Sequence, residues 1–579
     1  MGRGLINHTV GRPFYNCRLN IFICMRNIRF NIIVLLAIFC CSSQFAYGRT
    51  RIVVKQSDDL ERVFAGKRTK YIIMEDIDLG GKKVQIGEGC VLVFRGGSLA
   101  NGTIVGNNTR VKAGNYEIFK RGFTRYRAYI KAGAKESTPP ALIRVYHKSI
   151  IIEGSWDNKK CSMNWSGLLN DNNEDVMLAV KNYVTLHKDG TTISLPTINA
   201  LGYETTYLPG NHKIDFNNST ISYPDDLSLW EDTSIALPED ATPCPLESGY
   251  GLISLCSDTK LLNITIDGKS EKRQNETIRL GVSCLVSIGN SKNLVLENVK
   301  LFNALGPGMA AQAGSKDITF KNCMFSNIGE HVLYSHQYQG YCHFVDCIFD
   351  TWDSERISVY RNGMNYILKY DPPLDLKGVS YNEIYKFDLT FNNCTFINPE
   401  RKTTQGRALG GFITGSFPLV IYVTNSKFIG VAPALNPGNG SAMTETTGFP
   451  FRMIVSNCDG APYVYPSRTN RNIITEFYDC INIPFRVVYA KRYERCLLFV
   501  DLYEDEIENI TESFSNEFAE PLIIKDCEFI DRGRIVNTFH PLIHRSAIID
   551  NSHSRGDSKP ILIEKLIAVR GKHSTVEVL

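Results

Sequence analysis

The sequence lacks several features that would assign it to a class at once. It carries no large excess of charge, because 64 Lys and Arg residues stand against 60 Asp and Glu residues, whereas a dedicated nucleic-acid binder usually has a basic domain or stripe. With 45 Gly and 23 Pro in 579 residues, it is too poor in both for a collagen-like chain, and its 43% hydrophobic content is too high for a disordered one. No P-loop, dinucleotide fingerprint, HExxH or GxSxG motif is present. We therefore expect a globular protein without a nucleic-acid partner.

A long apolar run is also missing. The only strongly apolar stretch, residues 31–41, has 11 residues, whereas a transmembrane helix needs about 20. It follows Arg26 and Arg29 and precedes Ala46-Tyr47-Gly48, which is the arrangement of a secretory signal peptide. Residues 1–48 are therefore predicted to be a signal peptide, with Met25 as an alternative start and an uncleaved anchor as the alternative interpretation. The mature chain would be secreted, periplasmic or on the cell surface, without an integral membrane span.

Cysteine pairs with zinc or thioredoxin spacing are absent as well. Of 17 cysteines, Cys17, Cys24, Cys40 and Cys41 precede residue 49, which leaves 13 in the mature chain, and no CxxC occurs. An odd number does not fit a simple disulfide framework in an exported protein. Most of these cysteines instead belong to a repeated phrase.

This phrase sets the architecture. Leu294-x-Leu296-x-Asn298-Val299-x-Leu301 returns 24 residues later around Asn322-Cys323, and after another 24 around Asp346-Cys347. Further copies centre on Asn393-Cys394, Asn425-Ser426 and Asn457-Cys458, and weaker ones on Asn218, Asn263, Asp479-Cys480 and Asp526-Cys527. Periods of about 20 to 50 residues indicate a solenoid in which each unit buries its apolar edge against its neighbours.

Within a unit, apolar residues alternate with period 2 on both sides of the Asn or Asp, which predicts two short strands meeting at a corner. Asn and Asp tolerate the left-handed conformation that such a corner requires, and stacked corners can form an amide ladder. The next residue then points inward. Because successive coils lie about 4.8 Å apart, the cysteines at this position are predicted to form a buried file of small apolar side chains.

The recurrent Asn-Cys-x-Phe phrase resembles the right-handed parallel β-helix of the pectin-lyase-like superfamily, whose secreted bacterial members act on polysaccharides. The likeness runs from about residue 85 to the C-terminus and implies an all-β solenoid of about ten or more coils. Residues 49–84 are predicted to be an N-terminal cap, with a short helix over 57–65 begun by a Ser or Asp N-cap. Early coils are expected at Leu92-x-Phe94, Gly97-Ser98-Leu99 and Gly102-Thr103-Ile104, and the Tyr207-Leu208-Pro209-Gly210 segment resembles the opening coil of many such proteins.

Longer spacings mark loops. The corners at Asn263 and Asn298 are 35 residues apart, and 47 residues separate both Asp346 from Asn393 and Asp479 from Asp526. The last interval holds six acidic residues, namely Asp501, Glu504, Asp505, Glu506, Glu508 and Glu512. This segment is interpreted as a solvated loop, with a calcium site as the alternative. No other cofactor or metal is expected.

The resemblance implies that substrate lies along the outer face of the strand that precedes the repeated phrase. The 24-residue register predicts that residues 308–313, 332–337 and 356–361 stack. Alternation then places Met309, Ala311, Leu333, Ser335, Ile357 and Val359 inward. One outward column would hold Gln312, His336 and Tyr360, and its neighbour Ala310, Tyr334 and Ser358.

Two chemistries can use such a face. A uronan lyase neutralises a carboxylate, for which Arg356 or Arg361 is suited, and needs a base and an acid, for which His336 with Tyr334 or Tyr360 is suited. A glycosidase needs two carboxylates, and Glu330, Asp353 and Glu355 are the nearest. The predicted catalytic residues are His336, Tyr334, Tyr360 and Arg356, and the predicted substrate-binding residues are Arg361, Gln312, Glu330, His331, Asp353, Glu355 and Trp352.

The acidic, histidine and arginine motifs expected of polygalacturonase-like hydrolases are not recognisable on successive coils of the sequence. We therefore expect a polysaccharide lyase or glycoside hydrolase acting on an extracellular, acidic polysaccharide, with a non-catalytic glycan-binding or adhesive surface protein as the alternative. The sequence leaves the sugar, the ion dependence and the oligomeric state open.

Overall fold

The computed structural model describes most of the chain after residue 48. The described residues are 49–129, 141–147, 149–169, 176–202, 206–223, 242–243, 251–269, 284–304, 307–311, 314–328, 331–335, 339–350, 366–370, 386–398, 411–415, 419–430, 434–437, 451–461, 463–464, 473–484, 490–500, 521–531, 542–555, 561–570 and 576–578. Within them, no helix is long and apolar enough to cross a membrane. The predicted signal peptide, residues 1–48, and the acidic segment from Asp501 to Glu512 lie outside the described residues.

The N-terminal part is a short stack of parallel strands. Its elements are β1 (Arg51–Val54), α1 (Leu60–Phe64), β2 (Lys70–Ile73), β3 (Ile77–Asp78), β4 (Lys83–Gln85), β5 (Val91–Phe94), β6 (Leu99–Ala100), β7 (Gly102–Lys112), β8 (Phe123–Tyr129), β9 (Ala141–His147) and β10 (Ile150–Trp156). Strands β1, β2, β5, β7 and β10 form one sheet, and all of its pairs are parallel. Parallel stacking thus begins at β1, inside the segment expected as a cap. The expected helix is α1, and the Asp59 side chain accepts a hydrogen bond from the Arg62 amide as its N-cap.

A connecting region links this stack to the main solenoid. It contains a 3₁₀ helix, η1 (Met163–Ser166), and α2 (Met177–Thr185). Helix α2 contacts both β10 and residues Thr206–Leu208, which form a strand of the main solenoid. Its Asn182 is buried, accepts from the Ile152 amide at 3.0 Å and donates to the Ile150 carbonyl at 2.8 Å. Because a terminal parallel strand has no neighbour on one side, this single side chain occupies backbone groups of β10 that would otherwise be unpaired.

The main solenoid comes next in the chain. Its first strands are β11 (Thr192–Ser194), β12 (Asn199–Leu201), β13 (Thr206–Leu208), β14 (Lys213–Ser222), β15 (Thr242–Pro243), β16 (Ile253–Leu255), β17 (Lys260–Asp267), β18 (Val286–Ile288), β19 (Lys292–Ala304), β20 (Met309–Ala311), β21 (Lys316–Lys321), β22 (Met324–Ile328), β23 (Leu333–Ser335), β24 (Gln339–Val345), β25 (Ile348–Asp350), β26 (Tyr366–Tyr370), β27 (Lys386–Asn392) and β28 (Thr395–Asn398). The remaining strands are β29 (Gly411–Gly415), β30 (Leu419–Thr424), β31 (Lys427–Gly430), β32 (Ala434–Pro437), β33 (Phe451–Ser456), β34 (Tyr463–Val464), β35 (Ile473–Tyr478), β36 (Ile483–Pro484), β37 (Ala490–Glu494), β38 (Leu497–Val500), β39 (Leu522–Lys525), β40 (Glu528–Asp531), β41 (Leu542–Asp550), β42 (His553–Ser554), β43 (Ile561–Arg570) and β44 (Val576–Val578).

Except for β15, which pairs antiparallel with β9 in a three-stranded sheet with β8, these strands form long parallel sheets that run along the solenoid. One sheet has 20 strands, from β11 to β44, and bends around the corner where two strands of a coil meet. A second sheet has nine strands, in the order β13, β16, β18, β20, β23, β26, β29, β32, β34, and a third has four, β36, β38, β40 and β42. The predicted class, an all-β parallel β-helix, is confirmed. The early coils are confirmed too, as β5, β6 and β7. The segment expected to resemble an opening coil forms β13 and β14, but β11 and β12 precede it and pair with β14, so it is not the first coil.

The corners are where the repeat predicts them. All ten predicted Asn and Asp corner residues have positive φ, between 50° and 59°. Several bond to the coil below through their side chains, as in the donation from Asn457 Nδ2 to Asn425 Oδ1 at 2.7 Å and from Asn298 Nδ2 to Asn263 Oδ1 at 2.9 Å. Two further corners, Arg495 and Asn551, have φ of 53° and 48°. The sequence pattern missed them.

Aromatic rings and small side chains fill the interior in files. Phe320, Phe344 and Phe391 stack at ring-centroid distances of 4.6 Å and 5.0 Å, and each is fully buried. Burying one such side chain contributes about 1.5 to 3 kcal/mol, and ring pairs add about 0.5 to 1.5 kcal/mol. The cysteines predicted to point inward after a corner are buried, namely Cys323, Cys347, Cys394, Cys458, Cys480 and Cys527. The same position is also buried at Ser426 and, after the two further corners, at Cys496 and Ser552. The cysteines of the described residues carry free thiols.

Candidate functional site

The outer face of the nine-stranded sheet is the predicted site. In register, one column of this sheet runs Tyr207, Ser254, Ser287, Ala310 and Tyr334, and we name it the tyrosine-bounded column. Three small side chains thus separate two tyrosines along four rungs, or about 19 Å. Tyr207 is 44% exposed and Tyr334 is partly exposed, whereas Ser254 and Ser287 are buried. The column is therefore accessible at Tyr207, Ala310 and Tyr334 and closed at the two serines between them.

The predicted direction of the side chains is confirmed where the structure describes it. Met309, Ala311, Leu333 and Ser335 are buried, with at most 1% of their surface exposed. Ala310 and Tyr334, which alternate with them, are partly exposed. The predicted stacking of 308–313 below 332–337 is likewise confirmed for residues 309–311 and 333–335, where Ala310 pairs with Tyr334.

Two of the predicted residues lie together at this face. The His331 and Tyr334 rings are stacked, with centroids 6.2 Å apart and planes at 25°. Strand β23 positions Tyr334, and the His331 carbonyl accepts from the Gly308 amide at 2.8 Å, which fixes the backbone just before that strand. An imidazole and a phenol therefore share one exposed position, and both groups can donate or accept a proton.

The next rung corrects the predicted register. Tyr334 pairs with Lys369 and Leu333 with Leu368, so β26 stacks on β23, and Ser358 does not share the column of Tyr334. The prediction that 356–361 stacks on 332–337 is wrong. In one coil, Leu333 on β23 follows the corner residue Asn322 by 11 positions. In the next coil, Leu368 on β26 follows the corner residue Asp346 by 22 positions. The coil from Asp346 to Asn393 is longer than the regular 24 residues, and about half of its insertion therefore precedes β26. A strict 24-residue period places the whole insertion after that strand.

The remaining predicted residues lie outside the described part of the chain. They are His336, Tyr360, Arg356, Arg361, Gln312, Glu330, Asp353, Glu355 and Trp352. Their proposed roles stay predictions.

The composition of the nine strands restricts what their side chains can do. None of the residues in these strands, as the structure bounds them, is Asp or Glu, and Lys369 is the only Lys or Arg. Lys369 is not predicted by a strict 24-residue period, because that period places residues 356–361 where β26 lies. Its signal is the apolar alternation of Tyr366-Ile367-Leu368-Lys369-Tyr370 at a distance from Asn393 that fits a coil with an insertion on each side.

Metal binding has no support among the described side chains. No group of three or more His, Cys, Asp or Glu residues in that part of the chain is arranged to hold a metal ion. The proposed calcium site in the segment from Asp501 to Glu512 falls outside it.

Comparison with known proteins shows a structural likeness at low sequence identity. No protein-family model matches the chain, and no curated protein matches it significantly. Among solved structures, the chain is similar to a family 28 exopolygalacturonase of Yersinia enterocolitica, with 10% identity over 76% of this chain and 85% of that one, and a TM-score of 0.32. It is also similar to PfbA, a surface adhesin of Streptococcus pneumoniae, with 11% identity, coverage of 72% and 92%, and a TM-score of 0.31. A tailspike protein of E. coli bacteriophage HK620 in complex with a hexasaccharide has 10% identity, coverage of 69% and 63%, and a TM-score of 0.28. Values this low carry no activity over to this chain.

Proposed function

We propose that the protein is an exported polysaccharide lyase that binds an acidic polysaccharide along the tyrosine-bounded column. The observation that carries this proposal is the backbone register of Tyr334 and Lys369, which places Lys369, the only Lys or Arg in the nine strands, on the rung next to Tyr334, with the two backbones about 4.8 Å apart. Neutralising a carboxylate is what a uronan lyase requires first. A lysine at this position supplies that charge in place of Arg356, which a strict 24-residue register favours.

The proposed reaction is an elimination across a uronate unit. A base removes the proton from the carbon next to the carboxylate, the bond to the glycosidic oxygen breaks, and a carbon–carbon double bond forms while that oxygen takes up a proton. Lys369 stabilises the charge that builds up on the carboxylate. His336 is the proposed base and Tyr334 the proposed acid, and His331 orients the Tyr334 ring through their stacking. Tyr360 and the predicted substrate-binding residues keep their roles as proposals.

Hydrolysis is the weaker enzymatic candidate. A glycosidase needs two carboxylates about 5.5 Å or about 6.5 to 9.5 Å apart, and the nine strands contain none. Glu330, Asp353 and Glu355 would have to supply both.

Binding without catalysis is the second candidate. The exposed rings of Tyr207 and Tyr334, with small residues between them, favour it, because sugars stack on aromatic faces. In that case the tyrosine-bounded column would be a binding stripe of an adhesive surface protein.

A panel assay separates these functions. The chain from Arg49 is incubated with uronic-acid and neutral polysaccharides, with calcium or with EDTA, while ultraviolet absorbance of unsaturated uronate and reducing ends are followed. A lyase raises both signals on acidic substrates alone. Reducing ends without absorbance would indicate a hydrolase, and retention of the polysaccharide without either signal would indicate a binder, so both results would contradict the proposal.

Two variants test the site. Tyr334→Phe and His336→Ala are each expected to lower kcat by about 10² or more, the usual contribution of a positioned acid or base. Activity that survives both substitutions would remove this site assignment even if the protein proves to be a lyase.

A further inference from the structure

A different face of the solenoid carries a second regular arrangement of tyrosines. Tyr341 lies on β24, Tyr422 on β30 and Tyr478 on β35, all in the 20-stranded sheet. Their chain neighbours Cys342, Ile421 and Phe477 are buried, so the three tyrosines point outward. Tyr422 is 36% exposed, and the other two are partly exposed.

The register places these three residues on a straight line. Tyr341 pairs with Asp388 and then with Val420, two residues before Tyr422. Tyr422 pairs with Ile454 and then with Glu476, two residues before Tyr478. Each step therefore crosses two rungs, about 10 Å, and two residues along the strand, about 7 Å. The total length is about 23 Å, and we name this line the tyrosine diagonal.

One ring of the diagonal and one ion pair between the other two rings are held in place by neighbouring side chains. Tyr341 stacks on His343 with centroids 4.3 Å apart and planes at 22°. Between Tyr422 and Tyr478, Arg452 donates to Glu476 at 2.7 Å, and the carboxylate of Glu476 is almost completely buried. Because such contacts restrict side-chain motion before a ligand arrives, less entropy is lost on binding.

The cations beside Tyr478 are paired with carboxylates, and the exposed Asp388 lies next to Tyr341 in the register. Arg452 pairs with Glu476, and Glu494 accepts from Arg492 at 2.8 Å and also pairs with Arg495 and Lys525. These cations hold the pKa of the Glu494 carboxyl below its usual value. Near Tyr478, the described cations Arg452 and Arg492 are thus each held by a carboxylate, so a sugar at this ring would meet mainly aromatic surface and hydrogen-bonding groups.

We propose that the tyrosine diagonal is a second polysaccharide-binding site, which takes an extended, uncharged glycan chain by stacking sugars on rings two rungs apart. Successive tyrosines of the diagonal are about 12 Å apart, which is comparable to the length of a disaccharide unit in an extended chain, so a hexasaccharide spans all three rings. That the ligand is a polysaccharide rests on the proposed function, whereas its lack of charge is inferred from the side chains of this face. The site is separate from the tyrosine-bounded column and is tested without any reaction.

The test measures hexasaccharide affinity by calorimetry with the chain from Arg49 and with cellohexaose and hexagalacturonate as probes. Tyr422→Ala and Tyr478→Ala are each expected to weaken cellohexaose binding about tenfold, a loss of about 1.4 kcal/mol. Tyr422→Phe keeps the ring and should bind within about twofold of the parent. Ile429→Ala is the matched control, because Ile429 is 42% exposed and lies on β31, in the same coil as Tyr422.

Lys369→Ala separates this proposal from the lyase. It should lower the rate of elimination at least about a hundredfold and leave cellohexaose affinity unchanged. If the lyase proposal fails, the calorimetric test of the second site is unaffected. Equal affinity of Tyr422→Ala and the parent would overturn the second site, and so would an equal loss in Ile429→Ala. Tyrosine-dependent binding of hexagalacturonate in place of cellohexaose would overturn the uncharged class of ligand.

Discussion

At the scale of single residues, the corner is the feature that lets this sequence fold into coils. Residues other than glycine usually avoid positive φ. Asn and Asp adopt it at lower cost because their short side chains form local hydrogen bonds. Arg495 shows that the rest of the coil can impose the same conformation. Its guanidinium donates to Asp479 of the coil before at 2.9 Å, in the place where an amide would donate elsewhere in the ladder.

Asn457 allows the corner to be tested. Asn457→Ala should lower the free energy of unfolding by about 2 to 3 kcal/mol, because it adds the cost of positive φ to the loss of a hydrogen bond. Asn457→Gly should cost only about 1 kcal/mol, since glycine adopts this conformation freely. Urea unfolding followed by circular dichroism measures both. Equal losses in the two variants would show that the positive φ of Asn457, 52°, does not contribute to the stability difference.

At the scale of elements, α2 connects the N-terminal stack to the main solenoid. Two buried histidines, His187 and His212, lie in this junction. His187, just after α2, bonds through Nδ1 to the Tyr183 carbonyl at 2.8 Å, and its ring lies edge-on to Tyr183. His212, at the start of β14, is 4% exposed, and its Nδ1 has no hydrogen-bond partner. Burial lowers the pKa of both groups below 6.5. Both are therefore neutral in the folded protein near neutral pH.

This junction predicts how stability depends on pH. Below pH 6.5 the unfolded chain takes up protons at both histidines before the folded protein does, so stability falls as the pH is lowered, until the depressed folded pKa values are reached. Each histidine contributes a slope of about 1.4 kcal/mol per pH unit in that window. His187→Gln should remove one such contribution, as measured by urea midpoints between neutral and mildly acidic pH. An unchanged slope would mean that the acid sensitivity of the fold arises elsewhere.

At the scale of the whole molecule, the sequence predicts what is periodic and fails where the period breaks. All ten predicted corners, the inward cysteines and the class of fold follow from the Asn-Cys-x-Phe phrase, because each coil repeats the same local packing problem. The rung above Tyr334 was misplaced because nothing in one sequence says on which side of an outer strand an insertion falls. The tyrosine diagonal was missed for a related reason: Tyr341, Tyr422 and Tyr478 belong to three different repeats and become neighbours only when the true register is known.

The same register supports the main functional proposal, since it brings Lys369 beside Tyr334 and leaves the nine strands without carboxylates. Elimination would then require the positive charge at position 369 itself. The most direct measurement is the rate of unsaturated-uronate formation on an acidic polysaccharide by the parent, Lys369→Ala and Lys369→Arg. We predict at least about a hundredfold loss of kcat in Lys369→Ala, comparable to the loss of one donor to a developing oxyanion, and substantial retention in Lys369→Arg. Equal rates in all three proteins would contradict the account.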